Sequence, residues 1–192
     1  MRNKETVVVT GASQGIGAAI VRLFLSRGYR VVATSRSATK AGFAPSADLA
    51  VVDGDIGSAE TAENVTQTAV AKFGSIDHVV SVTTITASLA ENPIAGITAS
   101  IPMITKGGLE AITLSLSSEY AKNGIRFNAV APGVVDTPLH KKTPKDFMKS
   151  LSPMGTITDA KDVAEAVIYL TEAHQVTGEV LHVDGGAHTG RW

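Results

Sequence analysis

Short apolar runs and segments with helical spacing alternate along the chain. Thr6-Val7-Val8-Val9-Thr10 is a continuous β-branched run of strand length, which reads as a buried strand. From Gly15 to Arg27, Ile16, Ile20, Leu23 and Phe24 recur at helical spacing and Gly28 closes the segment. A second strand follows over 29–34, then a polar, small-residue stretch from 36 to 48 that reads as loop or short irregular helix. Leu49-Ala50-Val51-Val52-Asp53 is a third apolar run. Ser58 is placed to cap a helix through Phe73, with Val65, Ala69 and Phe73 on one side. The pattern then predicts a strand at 79–82, an ambiguous stretch from 85 to 100, and a long helix over 103–122. A strand at 125–130 leads into loop-rich residues 131–158, which carry four prolines. Asp159 caps a last helix through Leu170, and Val180–Val183 forms the last strand.

Strands separated by helices imply βαβ units around a parallel sheet covered on both faces. The expected fold is therefore α/β, a doubly wound, Rossmann-like parallel sheet in three αβα layers. With no repeat, linker or composition shift, residues 1–192 read as a single domain. Composition narrows the functions further. Seventeen Lys+Arg against eighteen Asp+Glu give a formal charge of -1, so the basic footprint of a nucleic-acid binder is missing. There is no cysteine, which excludes disulfides, thiolate metal sites and cysteine nucleophiles. The histidines have no metal-ligand spacing, so no metal is expected. The first apolar run is far shorter than the ~20 residues of a membrane span. The sequence thus suggests a cytoplasmic protein with no membrane partner.

The chemistry starts where the first strand passes into the first helix, at Thr10-Gly11-Ala12-Ser13-Gln14-Gly15-Ile16-Gly17. Gly11 permits a tight turn, while Gly15 and Gly17 let backbone approach a pyrophosphate and pack the helix on the sheet. The helix N-terminus adds free N–H groups and partial positive charge. The end of the second strand then selects the cofactor. A carboxylate there would bind a ribose 2′-hydroxyl, whereas a cation accommodates a 2′-phosphate. This chain has Ser35-Arg36-Ser37, which favours NADP(H) over NAD(H). A solvated loop arginine is the competing reading of Arg36.

Together these motifs resemble the short-chain dehydrogenase/reductase family, in particular its 3-oxoacyl-carrier-protein-reductase-like members. Residues 10–17 match the family's TGxxxGxG, although many NADP-binding members carry a basic residue where Gln14 stands. The resemblance implies that Asp55-Ile56 lines an adenine pocket. It makes Lys106, opening a long helix, the active-site lysine that binds the nicotinamide ribose. Asn128–Gly133 matches the strand and turn beside the nicotinamide, which brings in Pro132 and Gly133. Val135 and Thr137 fall where the family contacts carboxamide and phosphates. Residues 177–186 resemble its C-terminal strand and turn. The implied activity is hydride transfer to or from a small-molecule carbonyl or secondary alcohol. The implied assembly is a homodimer or homotetramer, formed through the long helix and the last strand. Gly107, Gly108, Ala111 and Ser115 on that helix would permit a close helix partner, or close packing within the chain.

Two departures stand out. The family places a tyrosine acid four residues before its lysine, and here that position is Pro102. Proline has no side-chain proton and no N–H to donate. Tyr120 lies roughly 21 Å further along the same helix at 1.5 Å per residue. The carbonyl-polarising serine corresponds to Thr84, at the end of a strand read from His78 onward, with Ser81, Thr83, Thr86 and Ser88 as neighbouring alternatives. A threonine satisfying local backbone is the bland reading. In addition, the family's Asn-Asn-Ala-Gly turn and one central strand–helix unit, ~30 residues or more, are lacking after Asp77. Either the chain is shortened there, with the later strand's sequence filling the earlier place, or residues 77 and 78 flank an omitted segment. A Cα spacing of about 3.8 Å between them would refute the omission.

These features leave two functions in play: an NADP(H)-dependent oxidoreductase, and a catalytically degenerate nucleotide-binding or assembly protein. His140 falls in a lid-like region and reads first as a surface or loop histidine, and the Lys141, Lys142 and Lys145 patch beside it reads first as a solvated lid face.

Overall fold

A computed structural model describes residues 4–79, 83–85, 87–91 and 98–189, with only the backbone described for Thr83 and Thr84. The fold is Rossmann-like α/β with parallel sheets. The chain divides into two compact units, Met1–Ser81 and Val82–Trp192.

In the first unit, β1 (Thr6–Thr10), β2 (Arg30–Ser35), β3 (Leu49–Asp53) and β4 (His78–Val79) form a parallel sheet in the order β3-β2-β1-β4. The register aligns Val8 with Val32, and Val32 with Ala50. These residues and Val52 pack on Val65, Ala69 and Phe73 of α2 (Ala59–Phe73). Alternation sends Val7, Val9, Val31 and Ala33 to the opposite face, where α1 (Gly15–Ser26) contributes buried Ile20, Val21 and Phe24. Ser58 is the N-cap of α2 as predicted, but its side chain makes no capping hydrogen bond. Residues 38–41 of the expected loop form a 3₁₀ turn.

Asp77 ties the start of β1, its backbone N–H donating to the Thr6 carbonyl (2.9 Å) and its carboxylate accepting the Thr6 N–H (2.7 Å). His78 follows directly, paired with Val7. Asp77 and His78 therefore lie beside consecutive residues of β1, Thr6 and Val7.

The second unit holds β5 (Thr83–Ile85), β6 (Asn128–Pro132) and β7 (Val180–Val183), also parallel, in the order β5-β6-β7. The strand expected from His78 through Thr84 is thus divided. Its first two residues pair with β1 and residues 83–85 pair with β6. Both receiving strands offer an open ladder of N–H and C=O groups, and the β-branched run has strand propensity at both ends. Residues 80–82 lie outside the described part. β6 is buried along its whole length, as suits a strand covered on both faces, with α3 (Ser100–Tyr120) and α5 (Ala160–Glu172) packed against it. The predicted loop 131–158 also contains a short helix, α4 (Lys145–Lys149).

α3 begins earlier than the apolar spacing suggests, so Pro102 sits inside its first turn. A proline is tolerated there because those N–H groups have no intrahelical acceptor. Both ends of α5 are tied. Asp159 accepts the Lys161 N–H at 2.7 Å. At the other end, the Arg126 guanidinium donates to the carbonyls of Leu170, Thr171, Ala173 and Val176.

Candidate functional site

The glycine-rich turn of the first unit opens a cavity of about 460 Å³ at the carboxyl ends of β1 and β2. Gly11 has a φ of 66°, in the left-handed region. A Cβ on Gly17 would lie 2.3 Å from the Gly11 carbonyl oxygen, so glycine at 17 is what lets α1 sit tight against the turn. The Ala12 N–H donates to the Thr34 carbonyl at 3.1 Å, which fastens the turn to β2. At the mouth of α1, Gln14 provides no side-chain cap and the first turn has no acidic residue. An electropositive helix end therefore faces this region.

Gly11, Ser13 and Gln14 line one wall, with Gly15, Ile16 and Gly17 behind them in the first turn of α1. Ser35, Arg36 and Ser37 line another wall, and Asp55 and Ile56 a third. The structure brings Gly11, Ser13, Gln14, Ser35, Arg36, Asp55 and Ile56 to one cavity, while Gly15, Ile16 and Gly17 are not among its lining residues. The Asp55 carboxylate is engaged with the Gly57 N–H at 2.9 Å.

Lys40, which the sequence reading missed, also lines this cavity. It lies four residues after Arg36, in the 3₁₀ turn that follows β2, and a second cation this close in sequence was the available signal. Asp53 at the end of β3 secures its turn, accepting the Thr39 hydroxyl (2.6 Å) and the Thr39 N–H (2.9 Å). Those hydrogen bonds, the hydroxyl's first, hold the Asp53 carboxyl below its usual range. The buried Thr34 hydroxyl has no partner among the described residues, and Thr34 lines the same cavity. The donors, free helix end and unpartnered hydroxyl fit a phosphorylated dinucleotide.

A second cavity, about 440 Å³, lies wholly within the second unit. Pro132 and Gly133 form part of it, and Pro102, Leu89, Val134 and Met148 supply apolar walls. A Cβ on Gly133 would come within 3.0 Å of the Asp184 backbone, so this turn too is closed around a glycine. Val135 is buried and bridges to Thr158, while Thr137 opens the 3₁₀ turn Pro138–His140. Neither lines the cavity.

Lys106 is half-buried on α3, with its Nζ donating to the Ile85 carbonyl at 2.8 Å. Burial lowers its pKa. The Thr84 backbone pairs with Ala129 in the β5–β6 ladder, but its side chain lies outside the described part, as do Ser81 and Thr86. Among the described residues, the hydroxyl-bearing alternative Ser88 lines the cavity. It is buried, with its Oγ 3.4 Å from the Pro132 carbonyl. His140, in the loop turn Pro138–His140, lines the cavity as well.

At the C-terminal turn, the buried Asp184 carboxylate accepts the N–H groups of Gly186 and His188 and contacts the His188 ring. Burial alone would raise its pKa, but these bonds outweigh burial and lower it.

A glycine-rich strand-to-helix turn on a parallel sheet defines a dinucleotide-binding class of α/β protein. Residues 5–103 match the short chain dehydrogenase family model, and residues 81–188 match the related model described as Enoyl-(Acyl carrier protein) reductase. The chain belongs to the short-chain dehydrogenase/reductase family. It is 44% identical over 87 residues to 3-oxoacyl-[acyl-carrier-protein] reductase of Bos taurus, covering 45% of this chain and 37% of that one. It is 29% identical over 247 residues to 3beta-hydroxysteroid dehydrogenase 1 of Eggerthella lenta, covering 95% and 93%. That alignment is longer than the 192 residues of this chain, so the relative has internal residues with no counterpart here. A short-chain dehydrogenase/reductase from Brucella melitensis superposes with a TM-score of 0.85 at 25% identity, covering 96% of this chain and 98% of that one. The matched part of the chain spans between about a third and a half of the length of the 3-oxoacyl-[acyl-carrier-protein] reductases it matches. Among the described residues, no helix is long and apolar enough to cross a membrane.

Proposed function

We propose that this chain is an NADP(H)-dependent oxidoreductase that moves hydride between the nicotinamide and a carbonyl or secondary alcohol. The observation that carries this reading is the pairing of Arg36 and Lys40 on the wall of the glycine-turn cavity. Two cations at the end of β2 suit a 2′-phosphate. Bound NADPH would supply the hydride. Gly11, Ser13, Gln14, Gly15, Ile16 and Gly17 would hold the pyrophosphate, Ser35 and Arg36 the 2′-phosphate, and Asp55 and Ile56 the adenine. Pro132, Gly133, Val135 and Thr137 would position the nicotinamide, Lys106 its ribose, and Thr84 the substrate oxygen. The same reading takes the protein as a cytoplasmic homo-oligomer.

Fluorescence titration with NADPH and NADH tests the cofactor. Hydrogen bonds to charged groups contribute roughly 1.5–3 kcal/mol, so NADPH should bind about tenfold or more tighter than NADH, and Arg36→Glu should abolish that preference. Equal affinities in the unmodified protein would overturn the assignment.

Pro102 at the tyrosine position favours a second reading, nucleotide binding without turnover. NADPH oxidation measured across ketones and 3-oxoacyl thioesters separates the two. Binding with no turnover on any of them leaves only the second.

A further inference from the structure

Pro102 forms part of the wall of the apolar cavity, one helical turn before Lys106, so α3 offers no proton there. The same cavity is lined by His140. Its backbone is fixed, the N–H donating to Thr137 (3.0 Å) and the carbonyl accepting from Thr143 (2.9 Å). The ring is half-buried and takes part in no hydrogen bond or ion pair among the described residues. Other histidines are committed elsewhere: His78 to Glu5, His182 to Glu91 and His188 to Asp184. Among the described residues, the remaining polar side chains of the cavity are Ser88 and Thr143. Aliphatic hydroxyls are poor proton donors, whereas an imidazole is the side chain most often used for general acid work.

We propose that His140 is the proton donor of this protein and that its substrates are apolar ketones. The proposal rests on the oxidoreductase reading above. Leu139 and Phe147, 84% and 49% exposed, carry the apolar lining out to solvent, which favours an apolar body over a polyol. Bound NADPH would supply the hydride that forms the new C–H bond at the carbonyl carbon. The C=O π pair would move to oxygen, which takes its proton from His140. Secondary alcohol and oxidised nicotinamide would result, and water would return a proton to the ring. No other titratable side chain lines the cavity among the described residues. The nearest charges along the chain are Lys141 and Lys142, while Lys145 is held by Asp136 at 2.6 Å.

The test uses the full chain with NADPH, cyclohexanone and 2-octanone. General acid catalysis contributes about 10²–10⁴-fold, so His140→Gln and His140→Ala should each lower kcat at least about a hundredfold, with circular dichroism and NADPH affinity unchanged. The pH–rate profiles of the unmodified chain and of the two variants should differ. A readout free of turnover is the His140 ring resonance, assigned by its loss in His140→Gln, which should shift when cyclohexanol is added. Variants that keep the kcat and pH profile of the unmodified chain, or a ring resonance that ignores cyclohexanol, overturn the role of His140 alone. An unmodified chain that binds NADPH but reduces neither ketone overturns this proposal and the oxidoreductase reading together.

Discussion

Arg36 and Lys40 are both exposed, so their charges act through solvent. An exposed cation contributes roughly 0.2–1 kcal/mol, which sets the scale for the second of them. Lys40→Ala should weaken NADPH binding by about two- to fivefold at low salt, leave NADH binding unchanged, and lose its effect near 1 M salt, where screening reaches about 3 Å. A titration of both cofactors at two salt concentrations reads this directly. Asp53 anchors the turn that carries Lys40. Its carboxyl is held below the ordinary carboxylate range, so the clamp is fully formed above that range and opens only as pH falls below it. The Thr39 amide resonance should therefore stay fixed from neutral pH down to about 4 and move only below that.

Helix α5 shows how an element is fastened by groups of unequal strength. Asp159 makes one capping bond, whereas Arg126 serves four carbonyls from one guanidinium. Asp159→Ala should cost about 1 kcal/mol. Arg126→Met leaves several carbonyls without their donor and should cost more, about 2–4 kcal/mol, as read from urea midpoints. The turn after β7 depends on Asp184 in the same way, and Asp184→Asn should cost about 1–3 kcal/mol. Because the Asp184 carboxyl is lowered, its contribution is present above the usual carboxylate value of about 3.8 and is lost as pH falls through the lower folded value. Asp159 was visible in the sequence because a cap acts over two or three residues. Arg126 was not, since its acceptors lie more than forty residues away and are backbone. Contiguous motifs announced the glycine turn, Arg36 and Asp55-Ile56. The cavity that His140 lines was not legible, because its walls come from distant segments, residues 87–89, 102 and 132–134. The division of residues 78–85 between two ladders was equally hidden, because one β-branched run carries no mark of which edge it joins.

For the molecule as an assembly, α3 is the telling feature. Ile101, Ile104, Ile112 and Leu114 are more than half exposed. A Cβ on Gly107 or Gly108 would meet nothing within 4 Å. Among the described residues, Gly107 and Gly108 therefore are not spent on packing within the chain, and they share an apolar helix face with exposed isoleucines. If the protein is a homo-oligomer through α3, Ala111→Arg should lower the mass seen by light scattering while NADPH still binds. An unchanged mass would exclude this helix as the interface. The contact at Gly17 bears on how quickly cofactor is captured. Backbone meets backbone there closely enough to fix the turn's shape, so the turn's conformational entropy is lost during folding rather than on association. Stopped-flow traces should accordingly rise in a single phase whose rate stays linear in NADPH concentration, with no plateau from a rearranging loop.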